Sequence, residues 1–217
     1  MLRNWTELNK HAHLFIAASA VSFVGDGMRY AALPLLAAQQ GAGPIGLGLL
    51  LGSATLPFLV LGVFGGVLAD RVRRRSVLIA CDALRFGIMG VFVLLLISGH
   101  TSLPLLYAVA FLMGLLESVA TSATFAYLPP LVSEEHLERA NAMSSTALLL
   151  GRQFIGPLLG AALLDAADAL PFALDCLTFL VSVLLLGPLP RSLESKPERS
   201  PTRRDRSAAS AAALPET

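Results

Sequence analysis

Gly66-Val67-Leu68-Ala69-Asp70-Arg71-Val72-Arg73-Arg74-Arg75 closes a long apolar run and opens a basic turn. The run before it covers residues 45–69, enough for the ~20 apolar residues that cross a hydrocarbon core. Gly62, Gly65 and Gly66 permit a neighbouring helix to approach closely. Asp70 and Arg71 end the helix at the interface, and the remaining arginines hold the turn in water.

Five further stretches have the same character: residues 13–38, 76–97, 103–126, 141–164 and 169–189. Backbone groups in lipid must be satisfied within the segment, so each is expected to be a helix. The composition agrees: 55% of the 217 residues are hydrophobic and 14% charged, against about 25% charged in soluble domains. Mean hydropathy is +0.69. The predicted fold is an all-α membrane protein, a six-transmembrane-helix bundle over 13–189. Residues 1–12 form a cytoplasmic N-terminus, and 190–217 a disordered tail or linker rich in Pro, Ser, Ala and Arg. The first run is too long for the apolar region of a signal peptide and is read as a retained helix. A net charge of +1 gives no basic field for nucleic acid. Cys81 and Cys176 make no disulfide framework, and no metal or cofactor spacing is present.

Orientation follows from the basic residues. Arg3 and Lys10 precede the first stretch, Arg71, Arg73, Arg74 and Arg75 follow the second, Arg139 follows the fourth, and six more follow the last. The loops after the first, third and fifth carry no Lys or Arg. Both termini are therefore expected in the cytoplasm, with the chain in the inner or plasma membrane. In the one longer connection, Tyr127–Ala140, Ser133 reads as the N-cap of a short surface helix.

An internal repeat appears at an offset near 94. Gly62 and Gly66 match Gly156 and Gly160, and Asp82-Ala83-Leu84-Arg85-Phe86 matches Asp175-Cys176-Leu177-Thr178-Phe179. Three helices per copy is an odd number, so the second copy is inverted.

Asp26, Glu117 and Arg152 fall near the midpoints of the first, fourth and fifth stretches, with Arg29 one turn from Asp26. A charge at mid-helix costs about 2.5–3.5 kcal/mol on insertion scales, so these side chains should face protein or water. One reading makes them a coupling and substrate cavity. The plainer reading makes Asp26–Arg29 and Asp82–Arg85 structural pairs at i,i+3 spacing, and for Asp82–Arg85 the plainer one is favoured. Asp175 reads as structural, near the outer end of the sixth stretch. The inward charges would face lipid in an isolated six-helix bundle, and the small-residue faces Gly62–Gly66 and Gly156–Gly160 offer packing surfaces. A second half is expected to cover them.

The basic-turn motif resembles the signature G-x-L-A-D-R-x-G-R-R of the major facilitator superfamily, departing from it at Arg73. Gly151-Arg152-Gln153-Phe154-Ile155-Gly156-Pro157-Leu158-Leu159-Gly160 resembles the superfamily's antiporter motif in the fifth helix, G-x-x-x-G-P-x-x-G. A generic small-residue packing face is the alternative for that segment. Ser22-Phe23-Val24-Gly25-Asp26, and Leu131-Val132 through Ala140-Asn141-Ala142, are similar to bacterial drug efflux and siderophore exporters. The resemblance implies the N-terminal half of such a transporter, built from two inverted three-helix repeats. It implies a cytoplasmic gate at Gly66, Asp70, Arg71, Arg74 and Arg75, and an antiporter motif at Gly151, Gly156, Pro157 and Gly160. It further implies secondary active, proton-coupled export of a small amphipathic molecule such as a drug or siderophore. The partners would be lipid, the substrate, protons and a second six-helix half, supplied by another chain or a second copy. A truncated or half-size protein with no transport of its own is the competing reading. No nucleophile elbow, phosphate loop or zinc spacing suggests an enzyme.

Overall fold

The computed structural model describes residues 10–68 and 74–189, with backbone alone for 62–68. Helix starts and stops follow local chemistry. Pro44, Pro104 and Pro171 stand in the first turns of their helices, where a missing N–H costs nothing. Gly41 and Gly99 take positive φ, +85° and +73°. After each, paired backbone bonds close the helix end: Ala42 N–H to Ala37 at 2.9 Å and Gly41 N–H to Ala38 at 3.0 Å, then His100 N–H to Leu95 at 2.9 Å and Gly99 N–H to Leu96 at 3.1 Å. These are Schellman closures, which need a left-handed residue that glycine adopts without strain.

Among the described residues six helices result: α1 Lys10–Gln39, α2 Pro44–Leu68, α3 Arg74–Ile97, α4 Leu103–Tyr127, α5 Glu134–Ala166 and α6 Leu170–Leu186. A 3-10 turn, Pro129–Leu131, follows α4. No strand occurs among the described residues. α2, α3, α4 and α5 are long and apolar enough to cross a membrane. α1 has the length, 30 residues, but carries Lys10, His11, His13, Asp26 and Arg29. α6 is shorter, at 17 residues. Outward-pointing Leu59, Leu94, Leu158 and Leu184 are 65–73% exposed, as a lipid-facing surface requires.

Two expectations change here. The surface helix and the fifth stretch are one helix: α5 begins at Glu134, with Glu134 and Glu135 favourable to its N-terminal dipole. Ser133 is the N-cap by position, but its side chain makes no capping bond. Within α5, Leu150–Ile155 is π-helical, and Gly156 N–H bonds to Gly151 O. This wide turn directly precedes Pro157, which cannot donate to the helix ladder.

Helix packing follows the repeat. The close pairs are α1 with α5, α2 with α4, α1 with α6, α3 with α4, and α3 with α6. Exchanging α1 with α4, α2 with α5 and α3 with α6 maps that set onto itself, the relation two inverted three-helix repeats impose. The glycines occupy equivalent crossings. A Cβ on Gly27 would meet the Gly151 and Arg152 carbonyls at 2.8 Å, and one on Gly114 would collide with the Ala54 carbonyl of α2. Gly156 and Gly160 press on the α1 backbone at Val24, Gly27 and Met28. They are consumed by packing inside this bundle and offer no free face to a second half. The side-chain surroundings of Gly62 and Gly66 lie outside the described residues.

Apolar contacts form two clusters at opposite ends of the bundle. One joins Leu33, Leu50, Met89, Phe92, Leu106 and Phe172. The other joins Phe15, Leu78, Ala120, Tyr127, Leu131 and Leu186. Edge-to-face ring pairs brace each, Phe92–Phe172 at 5.0 Å and Phe15–Tyr127 at 5.3 Å. Between the clusters, α1, α3 and α4 place their charged side chains.

Candidate functional site: a buried charge network

α1 sets the centre of the site. Asp26 and Arg29 are one turn apart, and Arg29 Nη2 lies 2.8 Å from Asp26 Oδ1. The same nitrogen lies 3.0 Å from Glu117 Oε2 of α4, and Arg29 Nε lies 3.4 Å from Asp175 Oδ2 of α6. One guanidinium thus faces three carboxyl groups from three helices, which its fork of donors allows.

Glu117 is shared in turn. Its Oε1 lies 2.6 Å from Arg152 Nη1. Arg152 Nη2 donates to Tyr30 Oη at 2.7 Å, and Tyr30 donates to the Glu117 carboxylate at 3.3–3.4 Å. The Tyr30 ring also lies beneath both guanidiniums, 4.5 Å from Arg152 and 5.1 Å from Arg29. On α3, Arg85 Nη1 lies 3.7 Å from both Asp26 Oδ2 and Asp82 Oδ1, over the Phe179 ring. Ser182 Oγ donates to Asp82 Oδ2 at 2.6 Å.

Burial is nearly complete. Asp26, Arg29, Arg85, Glu117 and Asp175 are each at most 2% exposed, whereas the Arg152 side chain is 23% exposed. A buried ion costs several kcal/mol unless its partners are well placed, so the network must hold together as a unit. Beside it lies a cavity of about 30 Å³ lined in part by Ser19, Ser22, Asp26, Asp82, Arg85 and Thr124. At ~10–15 Å³ per water, that is room for about two.

Asp26, Arg29, Glu117 and Arg152, singled out from the sequence, therefore meet. The expectation that they would face lipid without a second half is corrected. Asp26, Arg29 and Glu117 are enclosed within these six helices, and only Arg152 reaches the open edge. Asp82–Arg85 is no isolated pair, because Arg85 sits equally close to Asp26. Asp175, read as structural, belongs to the network. Tyr30 went unnoticed because a tyrosine beside an arginine carries no sequence signal. For Asp175 the signal existed, in its alignment with Asp82.

The basic turn is only partly described. Arg74 Nη1 donates to the Ala126 carbonyl at the end of α4 at 2.6 Å. Arg75 donates to the Leu186 and Gly187 carbonyls at the end of α6, at 3.2 and 2.5 Å. Both arginines thus satisfy carbonyls that helix C-termini leave open. Asp70 and Arg71 lie outside the described residues, as do the surroundings of Gly66.

The family model of the Major Facilitator Superfamily matches residues 15–214. The chain belongs to the major facilitator superfamily. Among curated major facilitator proteins, it is 31% identical over 180 residues to the Uncharacterized MFS-type transporter YfiS of Bacillus subtilis, covering 81% of this chain and 41% of that protein. It is 34% identical over 129 residues to the Enterobactin exporter EntS of Salmonella typhimurium, covering 58% of this chain and 31% of that protein. The chain thus spans less than half the length of these major facilitator relatives. With six helices in two inverted repeats, it has the architecture of one half of a major facilitator bundle. Membership, with four helices long and apolar enough to cross a membrane, makes it a multi-pass membrane protein.

Proposed function

We propose that this chain forms the N-terminal half of a secondary active exporter of a small amphipathic molecule, driven by proton antiport. The observation that carries the reading is the buried network in which Arg29 joins Asp26 and Glu117, and Glu117 joins Arg152 at the open edge. Protonating a carboxylate there releases an arginine that several helices share, so proton binding and helix packing are coupled. EntS, a relative, is named an exporter of enterobactin, which supports the outward direction. A second half completes the path and rocks against this one. Its requirement rests on the share of relatives' length covered, not on exposed charge.

In vesicles carrying the chain with its second half, an imposed proton gradient is expected to drive accumulation of an amphipathic dye. A collapsed gradient should abolish it. Gradient-independent flux equal to that of empty vesicles would overturn the reading in favour of a half-size protein without transport.

Orientation is part of the proposal, with both termini cytoplasmic by the distribution of Lys and Arg. A cysteine at Gly43 or His100 is expected to react with a membrane-impermeant maleimide in intact cells. One at Glu135, exposed at the start of α5, is expected to stay unlabelled until the cells are opened. Native Cys81 and Cys176 are buried and leave the background low. The reverse pattern would invert the topology.

A further inference from the structure

The network contains four carboxyl groups, Asp26, Asp82, Glu117 and Asp175, and three guanidiniums, Arg29, Arg85 and Arg152. If all were ionised, one negative charge would be left uncompensated in the protein interior, which is strongly disfavoured. The origin of the odd carboxyl is visible in the repeat. Asp82 is followed one turn later by Arg85, but at the matching positions Asp175 is followed by Thr178. The second copy lacks the cation.

The geometry singles out Asp175 as the uncompensated group. Asp26 bonds Arg29 at 2.8 Å, and Glu117 bonds Arg29 and Arg152. Asp82 accepts from Ser182 and lines the cavity. Asp175 is 0% exposed, and neither of its carboxyl oxygens has a hydrogen-bond partner. Its approach to Arg29 Nε is 3.4 Å, long for a charge-assisted bond. Potential donors are turned elsewhere: Thr178 Oγ1 donates to the Asp175 backbone carbonyl at 2.7 Å, and the neighbour on α1 is Gly25, which has no side chain. The charged groups acting on Asp175 are Asp26 and Arg29 from α1, Arg85 from α3 and Glu117 from α4. On α5, Arg152 is turned to Glu117 and Tyr30.

We propose that Asp175 holds the network's exchangeable proton, as a neutral carboxylic acid in this arrangement. Loading places one proton from water on a carboxylate oxygen, and release returns it to water. The role in transport rests on the proton-coupled reading above, whereas the protonation itself stands without it.

The test is infrared spectroscopy of the purified protein in mild detergent at neutral pH. The carbonyl stretch of a protonated carboxylic acid is expected in the wild type, absent in Asp175→Asn and retained in the double variant Asp82→Asn/Arg85→Met, which removes one carboxylate and one guanidinium together. Asp175→Asn replaces a neutral acid by a neutral isostere, so its melting temperature should match the wild type. Absence of the band from the wild type would overturn the proposal, as would its survival in Asp175→Asn or its loss in the double variant. Failure of Asp175→Asn to fold would also overturn it, since that marks an ionised partner of Arg29. A negative transport assay leaves this band unaffected, so the two readings fail separately.

Discussion

Arg29→Met is expected to lose most of its folded protein. The substitution keeps an unbranched apolar stem but removes the cation that Asp26, Glu117 and Asp175 share. Glu117 retains Arg152, but Asp26 is left with Arg85 at 3.7 Å. Breaking a buried pair by deleting one partner costs about 3–5 kcal/mol, a large part of the 5–15 kcal/mol typical of a folded domain. The measurement is the monodisperse yield and melting temperature in mild detergent. Adding Asp26→Asn to Arg29→Met should recover part of the loss, because it removes the stranded charge. A single Arg29→Met variant that melts with the wild type would show that the network contributes nothing to stability. Absence of recovery in the double variant would show that the stranded Asp26 charge is not the source of the loss.

Neutralising the carboxylates that join Arg29 in the proposed coupling network is expected to have the largest effect on function. Asp26→Asn and Glu117→Gln, each in the assembled transporter, should abolish gradient-driven accumulation while leaving substrate exchange down its own gradient. The two differ in structural consequence. Glu117 holds two arginines and Tyr30, so Glu117→Gln should also lower the melting temperature. In Asp26→Asn the Arg29–Glu117 contact remains, and the stability loss should be smaller. Melting curves measured beside the flux separate a lost coupling contact from a damaged fold. Variants that still concentrate substrate with the pH dependence of the wild type would reduce both residues to structural polar groups.

The reach of α1 explains why so much depends on so few residues. It packs on α5 and α6, with lesser contacts to α2 and α4, and it carries Asp26, Arg29 and Tyr30 within two turns. Glycines at 25 and 27 let α6 side chains and the α5 backbone come against it. The residues that resemble the antiporter motif are thus the floor on which the Arg29 network sits. Gly156 and Gly160 fit against α1, and Gly151 lies at the π-helical turn that also carries Arg152.

The sequence by itself determined the class, the number of helical stretches and the repeat. Apolar length and the need to satisfy backbone groups in lipid leave helices as the available answer, and the matched spacing of Asp82 and Asp175 marks an inverted pair. It also identified Asp26, Arg29, Glu117 and Arg152 as inward-facing, since a mid-helix charge is tolerated in few other places. It did not determine what they face. Whether an inward charge meets another charge in the same six helices or the cavity between two halves depends on helix rotation and crossing. Those are set by backbone approach at Gly27, Gly114, Gly156 and Gly160, contacts between positions up to 132 residues apart. Only the tertiary structure therefore showed that the charges are already enclosed, that Tyr30 bridges two of them, and that Asp175 has no cation of its own. Pairing at a distance leaves no local pattern, because each partner's spacing is fixed by its own helix and not by the one it meets.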